Sequence, residues 1–202
     1  MSELAVKRMT VAEFLRWEDG TDTRYELIYG VPVALAPSAV AHGMLAFRIG
    51  ARIDAALRSR RPCYGQSEAG IVRPDREDTF YVADYVAELA VSCTPPEPGE
   101  QLMRDPVLLV EVLSPTTILD DRQDKIPAYR MIDSVQEILA LDSTRMVAEV
   151  ARREGERWIT EIASGPNATL TLASIDMRVA MAELYEGIEL PEPPARRAVP
   201  HG

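Results

Sequence analysis

The sequence predicts an α+β or mixed α/β domain, and three observations carry that reading. The chain has 202 residues, 47% of them hydrophobic, which is enough to bury a core and close to the length of one large domain. Segments with helical spacing are interspersed with segments of β character, without the strict strand–helix alternation of a doubly wound sheet. No apolar run approaches the roughly 18 residues that a membrane span requires, so the apolar residues are expected in a packed interior.

Each element has its own warrant. Thr10 and Glu13 frame a capping box that opens a short helix through about Glu18, and Asp19, Gly20, Thr21 and Asp22 break it. Tyr25–Tyr29 and Val31–Leu35 flank Gly30 and predict a hairpin, with Pro32 holding the second strand at an edge because it cannot donate to a ladder. Ser38 is placed to cap a long helix to about Ser59, in which Leu45, Ile49, Ile53 and Leu57 recur at helical spacing. Arg58, Arg60, Arg61 and Pro62 end it. Short strand-like pieces follow around Cys63–Gln66, Gly70–Val72 and Phe80–Ser92. Thr94–Pro106 is a proline-rich loop of thirteen residues. Val107–Leu113 is the most β-like run in the chain. Asp120–Met131 predicts a helix that Pro127 bends or delays. Val135–Asp142, Arg145–Arg153 and Arg157–Ala163 predict a strand meander, Leu170–Ile175 a further strand and Val179–Tyr185 a closing helix. Residues 1–190 are read as one domain and 191–202, rich in proline and polar residues, as a disordered tail.

Charge narrows the function. Lys+Arg 22 against Asp+Glu 32 gives −10, which excludes a general electrostatic grip on nucleic acid or an anionic membrane. Residues 75–100 carry seven acids and one arginine, whereas His42–Arg61 carries five arginines and one acid. Within that helix Arg48 and Arg52 lie one turn apart and could flank a substrate groove or a solvated face. Only two of the cations are lysines, Lys7 and Lys125. Cys63 and Cys93 lack zinc or disulfide-framework spacing and are read as small buried hydrophobes in a reducing compartment. The N-terminal residues carry acids and no apolar h-region, so a cytoplasmic protein is expected.

Two strand segments combine apolar runs with isolated acids. Glu111 is the one acid in Val107–Leu113, a run that implies a strand buried on both faces. A carboxylate there must be paired, hydrogen-bonded or bound to a metal, and an arginine at the sheet end would serve as well as a cation. Asp84 and Glu88 interrupt the apolar residues 80–91 and, four apart, share one face of a strand. On a helix, Asp121, Lys125 and Tyr129 would lie on one face; a surface Asp–Lys pair and a compact cation for a phosphate or a water nucleophile are both consistent with this.

Together these residues resemble a known family. Asp84, and Glu111 twenty-seven residues later at the end of an apolar strand, resemble the metal-binding half of a PD-(D/E)XK nuclease site. More narrowly, RYELIYG at 24–30, His42, PVLLVEVLSPTT at 106–117, DRQDK at 121–125, Tyr129 and MAELYEGIEL at 181–190 resemble the Uma-type restriction endonuclease family, a bacterial domain of unknown function. The likeness runs from residue 9 to 190. It implies a restriction-endonuclease-like mixed central sheet flanked by helices, with an additional strand meander. The pattern has proline before the first Asp, where this chain has Ala83, and the superfamily lysine two residues after the Glu would fall at Leu113. In this family the lysine lies on the following helix, which points to Lys125.

The resemblance implies a metal-dependent endonuclease hydrolysing DNA phosphodiester bonds. Asp84, Glu111 and the Val112 carbonyl are expected to hold one or two Mg²⁺ (or Mn²⁺), which favour oxygen ligands. Lys125 is expected to stabilise developing charge or orient the attacking water. Glu26 falls where related nucleases carry another acid. His42, Arg48 and Arg52 are the candidate substrate contacts. DNA binding is expected to be weak and metal-dependent, and a homodimer is plausible because the superfamily often pairs subunits. A degenerate nuclease fold acting as a binding module, or a metal-dependent hydrolase of another phosphate ester, are the alternatives.

Overall fold

The computed structural model describes residues 8–28, 30–35, 38–71, 85–115, 118 and 121–191. Asp84, its neighbour Ala83 and residues 192–202 of the expected tail lie outside these, as do the first five residues of the strand read at Phe80–Ser92.

The N-terminal segment forms α1 (Val11–Phe14) and a two-stranded hairpin, β1 (Tyr25–Ile28) and β2 (Val31–Ala34). Thr10 and Glu13 make the reciprocal capping bonds that the sequence anticipates. Gly30 sits in the β1–β2 turn at φ 79, a conformation that costs any residue with a Cβ. The long helix α2 spans Val40–Leu57 and buries His42, Leu45, Ile49, Ile53 and Leu57. Its cap is Ala39, without a side-chain bond, so Ser38 does not play the capping role its position suggests.

Beyond α2 lies a six-stranded sheet of β3 (Tyr64–Ile71), β4 (Tyr85–Ser92), β5 (Pro106–Leu113), β6 (Glu137–Asp142), β7 (Val147–Glu154) and β8 (Arg157–Ser164), arranged in sequence order. Every neighbouring pair is antiparallel except β5–β6. A parallel pair needs a crossover connection. Here it includes a π-helical turn, Asp121–Lys125, that leads directly into α3 (Ile126–Arg130). Pro127 stands in the first turn of α3; it has no N–H with which to continue an α-helix backwards, so the predicted single helix is split at that point. The chain ends in β9 (Thr169–Leu172), a 3₁₀ turn at Ala173–Ile175, β10 (Met177–Ala180) and α4 (Met181–Leu184). The sequence reading took Val179 onwards as helix, but Val179 pairs with Leu170 in the β9–β10 ladder.

β5 organises the core because its side chains alternate between two layers. Leu108, Val110 and Val112 pack with Leu45, Ile49 and Ile53 of α2 and with Leu184 and Tyr185. Leu109 packs instead with Ala128, Tyr129 and Ile132 around α3. Glu111 shares the parity of Leu109 and so belongs to the α3 side. The seams are tied by Glu137, 1% exposed, which accepts from Arg152 at 2.8 Å and from the backbone of Ala173 and Ser174 at 3.1 and 2.7 Å.

The two cysteines require a correction. Cys63 and Cys93 form a disulfide. They flank the β3–β4 ladder pair Tyr64–Ser92, so strand register brings together residues 30 positions apart. The reading of two isolated thiols considered local spacing alone and could not see this. No described helix is long and apolar enough to cross a membrane.

Candidate active site

A cavity of about 1140 Å³ opens beside the C-terminal end of β5, walled by α2, β3, β4 and the β1–β2 hairpin. Its residues come from elements far apart in sequence, and the sheet topology explains the convergence. β5 delivers Glu111 and Val112, and β1 delivers Glu26. The π-helical turn delivers Lys125, α2 delivers His42, and β4 delivers Glu88.

Glu111 is 3% exposed. Its Oε1 accepts a hydrogen bond of 2.6 Å from the Tyr129 hydroxyl, within the buried layer beneath α3. A bond this short fixes the orientation of the Glu111 carboxyl group at the strand end. The Val112 carbonyl belongs to the same strand end, where the next residue, Leu113, accepts from both the backbone N–H and the hydroxyl of Ser143. That clamp holds the end of β5 in place.

Lys125 donates from Nζ to Glu26 Oε1 at 2.8 Å, with side-chain exposures of 12% and 6%. The choice of lysine over arginine that singled out Lys125 in the sequence thus ends in a buried ion pair facing the same cavity as Glu111. Arg24, the obvious local partner for Glu26, pairs instead with Glu68 at 2.7 Å.

His42, in the first turn of α2, places Nε2 3.2 Å from Glu88 Oε1. The last β4–β5 ladder pair in this direction is Leu89 with Val110, so Glu88 and Glu111 are the next residues on adjoining strands. The sequence signal for Glu88 was its spacing from Asp84, but nothing local marked it as the partner of a helix 46 residues earlier. Tyr129 was visible as part of a motif; its bond to Glu111 depends on the crossover and was not.

Arg48 and Arg52 are not brought to the cavity. Arg48 donates to the Leu184 carbonyl at 3.1 Å, and Arg52 pairs with Glu183 at 2.7 Å, so both fasten α2 to α4. Cavity-lining residues of α2 such as Gly43, Phe47 and Asp54 lie on another side of the helix. Among the described residues the lining carries six acids, Asp22, Glu26, Asp54, Glu68, Glu88 and Glu111, against Arg24 and Lys125. Such a site favours cations and disfavours a bare phosphate.

The donor chemistry fits a hard divalent ion. A buried carboxylate and a strand carbonyl are oxygen ligands of the kind Mg²⁺ accepts in small number, its remaining positions being filled by water and substrate oxygens. Among the described residues no group of three or more His, Cys, Asp or Glu side chains is arranged to hold a metal. The second carboxylate expected from the sequence, Asp84, lies outside the described residues.

Comparison with known proteins agrees with this fold. A family model named Uma2, "Putative restriction endonuclease", matches residues 11–182. Two uncharacterised proteins of Synechocystis sp. are similar over most of their length. Sll1609 is 26% identical across 81% of this chain and 92% of its own, and slr1290 is 23% identical across 90% and 93%. In fold the chain is similar to a crystal structure from Anabaena variabilis described as "a putative nuclease belonging to DUF820". The TM-score is 0.69 at 18% identity, covering 88% of this chain and 97% of the other.

Proposed function

The chain belongs to the Uma2 restriction endonuclease family, and from that premise we propose that it is a metal-dependent endonuclease hydrolysing DNA phosphodiester bonds. The observation that carries this reading is the buried Glu111, oriented by Tyr129 at the end of β5 and sharing one cavity with the Lys125–Glu26 pair. Neither feature is easily explained by stability alone. Buried charges are costly unless fully compensated, and apolar residues of similar size would pack at least as well.

Glu111, the Val112 carbonyl and Asp84 are the residues that would hold Mg²⁺ or Mn²⁺. Such an ion, when bound, polarises the phosphodiester and lowers the pKa of a coordinated water. Lys125 presents a compact ammonium in a largely buried setting, where its field is little screened by solvent. Its role is to stabilise negative charge as it develops on the phosphoryl oxygens, or to orient the attacking water. Glu26 holds that ammonium in place. Tyr129 keeps Glu111 from rotating away from the strand end. His42, whose imidazole lies against Glu88 beside Glu111, is the proposed substrate contact. No covalent intermediate with the protein is required.

The acidic lining supports a conditional mode of DNA binding, in which divalent cations first offset the carboxylates. Incubation with plasmid, single-stranded DNA and RNA in Mg²⁺, Mn²⁺ or EDTA tests the reading. DNA cleavage that requires the divalent ion and is lost in Asp84→Asn and Glu111→Gln is expected. Undiminished cleavage in either variant would sink it, as would strong DNA binding in EDTA at physiological salt.

A further inference from the structure

The cavity runs from a buried carboxylate to an exposed aromatic. Phe47, on α2, lines it and is 79% exposed. Among the described residues it is the only aromatic among the large hydrophobic side chains left exposed. One turn before it, Gly43 also lines the cavity, and a Cβ built there would meet no heavy atom within 4 Å. The helix therefore presents an exposed ring beside open space, on the lining of a volume slightly larger than the roughly 300–1,000 Å³ of small-molecule sites.

The charge of the lining bears on what can bind there. Among the described lining residues the formal cations are Arg24 and Lys125, which are paired with Glu68 and Glu26. Phosphate contacts from these two paired side chains are thus a weak source of affinity, and an uncharged contact adds to what bound divalent ions supply. Stacking of a base on an aromatic ring does so for any base sequence. In a duplex both faces of each base are covered by its neighbours, so no face is available to Phe47 without unstacking. A single strand offers its base faces directly.

Resting on the nuclease reading above, we infer that Phe47, with the open space at Gly43, forms a platform for an unstacked base, and that the site takes single-stranded DNA in preference to duplex. Phe47 is a positioning residue: it holds the strand so that a neighbouring phosphate reaches the Glu111 end of the cavity.

The test uses the full chain with Ca²⁺ in place of Mg²⁺, so that binding is measured apart from cleavage. The probes are a short oligodeoxynucleotide carrying 2-aminopurine, the same sequence as duplex, and the corresponding RNA, followed by anisotropy and by 2-aminopurine emission. The single DNA strand should bind about tenfold or more tighter than the duplex, with quenched emission. Phe47→Ala should lose about tenfold in affinity together with the quench, and Phe47→Tyr should retain both. Gly43→Leu, which adds a side chain where a Cβ meets no heavy atom within 4 Å, should weaken binding with Phe47 intact. Wild-type affinity in Phe47→Ala, preference for duplex or RNA, or no binding by any probe would each overturn the inference. So would a dimer that Phe47→Ala dissociates with DNA affinity unchanged, which would assign this face to a second copy. Cleavage that is metal-dependent but indifferent to Phe47 removes the platform and leaves the nuclease reading standing. Stacking without cleavage in any metal does the reverse.

Discussion

At the scale of single residues, the sequence marked the acids and the lysine but not their partners. Glu111 was legible because one carboxylate in an apolar run must be compensated, and Lys125 because the chain otherwise uses arginine almost throughout. That Tyr129 answers Glu111, and Glu26 answers Lys125, depends on the β5–β6 crossover and the placement of the N-terminal hairpin. Lys125→Met, which keeps the bulk and removes the charge, should reduce cleavage about 10²–10³-fold in steady-state assays. Lys125→Arg should recover only part, since a planar fork cannot replace a compact ammonium. A charge at the far end of β6 makes a separate prediction. Burial raises the Asp142 carboxyl pKa, but the Thr144 hydroxyl and N–H and the Arg145 guanidinium outweigh it and hold the group below its ordinary value. A carboxylate depressed in the folded state stabilises the fold above the unfolded-state pKa of about 3.9, and that contribution is lost as pH falls through the folded value. Urea unfolding from neutral to acid pH should therefore show the deficit of Asp142→Asn shrinking below about pH 4. A deficit constant with pH would remove this account.

At the scale of elements, periodicity was the reliable signal and connectivity was not. α2 and β5 follow directly from their four-residue and continuous apolar patterns, and the meander of β6, β7 and β8 falls where strand propensity put it. The π-helical turn before α3 was only half visible: Pro127 signalled a break but not its geometry. The closing helix read at Val179–Tyr185 begins only at Met181, because Val179 and Ala180 end β10 and their pairing with β9 outweighs local preference. Arg48 and Arg52 looked available for substrate, but α4 packs against α2 and engages both. The disulfide is the clearest case, because it reads out the β3–β4 register and no local pattern. Closing a loop of 30 residues restricts the unfolded chain. Reduction, or Cys63→Ser with Cys93→Ser, should lower stability by about 2–4 kcal/mol in urea unfolding. Superimposable unfolding curves with and without reductant would contradict that.

At the scale of the whole molecule, the proposed function accounts for the −10 charge and the acidic cavity together. A surface that repels polyanions until divalent cations arrive makes DNA engagement conditional on the same ions that the chemistry would use. The fold supports this by setting the end of a central strand, a crossover turn, a long helix and an N-terminal hairpin around one cavity, with most of the molecule serving to hold β5 in register. The most direct test of the central claim is DNA cleavage by the wild-type chain and by folded Glu111→Gln, each with Mg²⁺, Mn²⁺ and EDTA. The account predicts cleavage by the wild type in the divalent ions alone and none by the variant. Cleavage that persists in EDTA, or that survives loss of the Glu111 carboxylate, would contradict it.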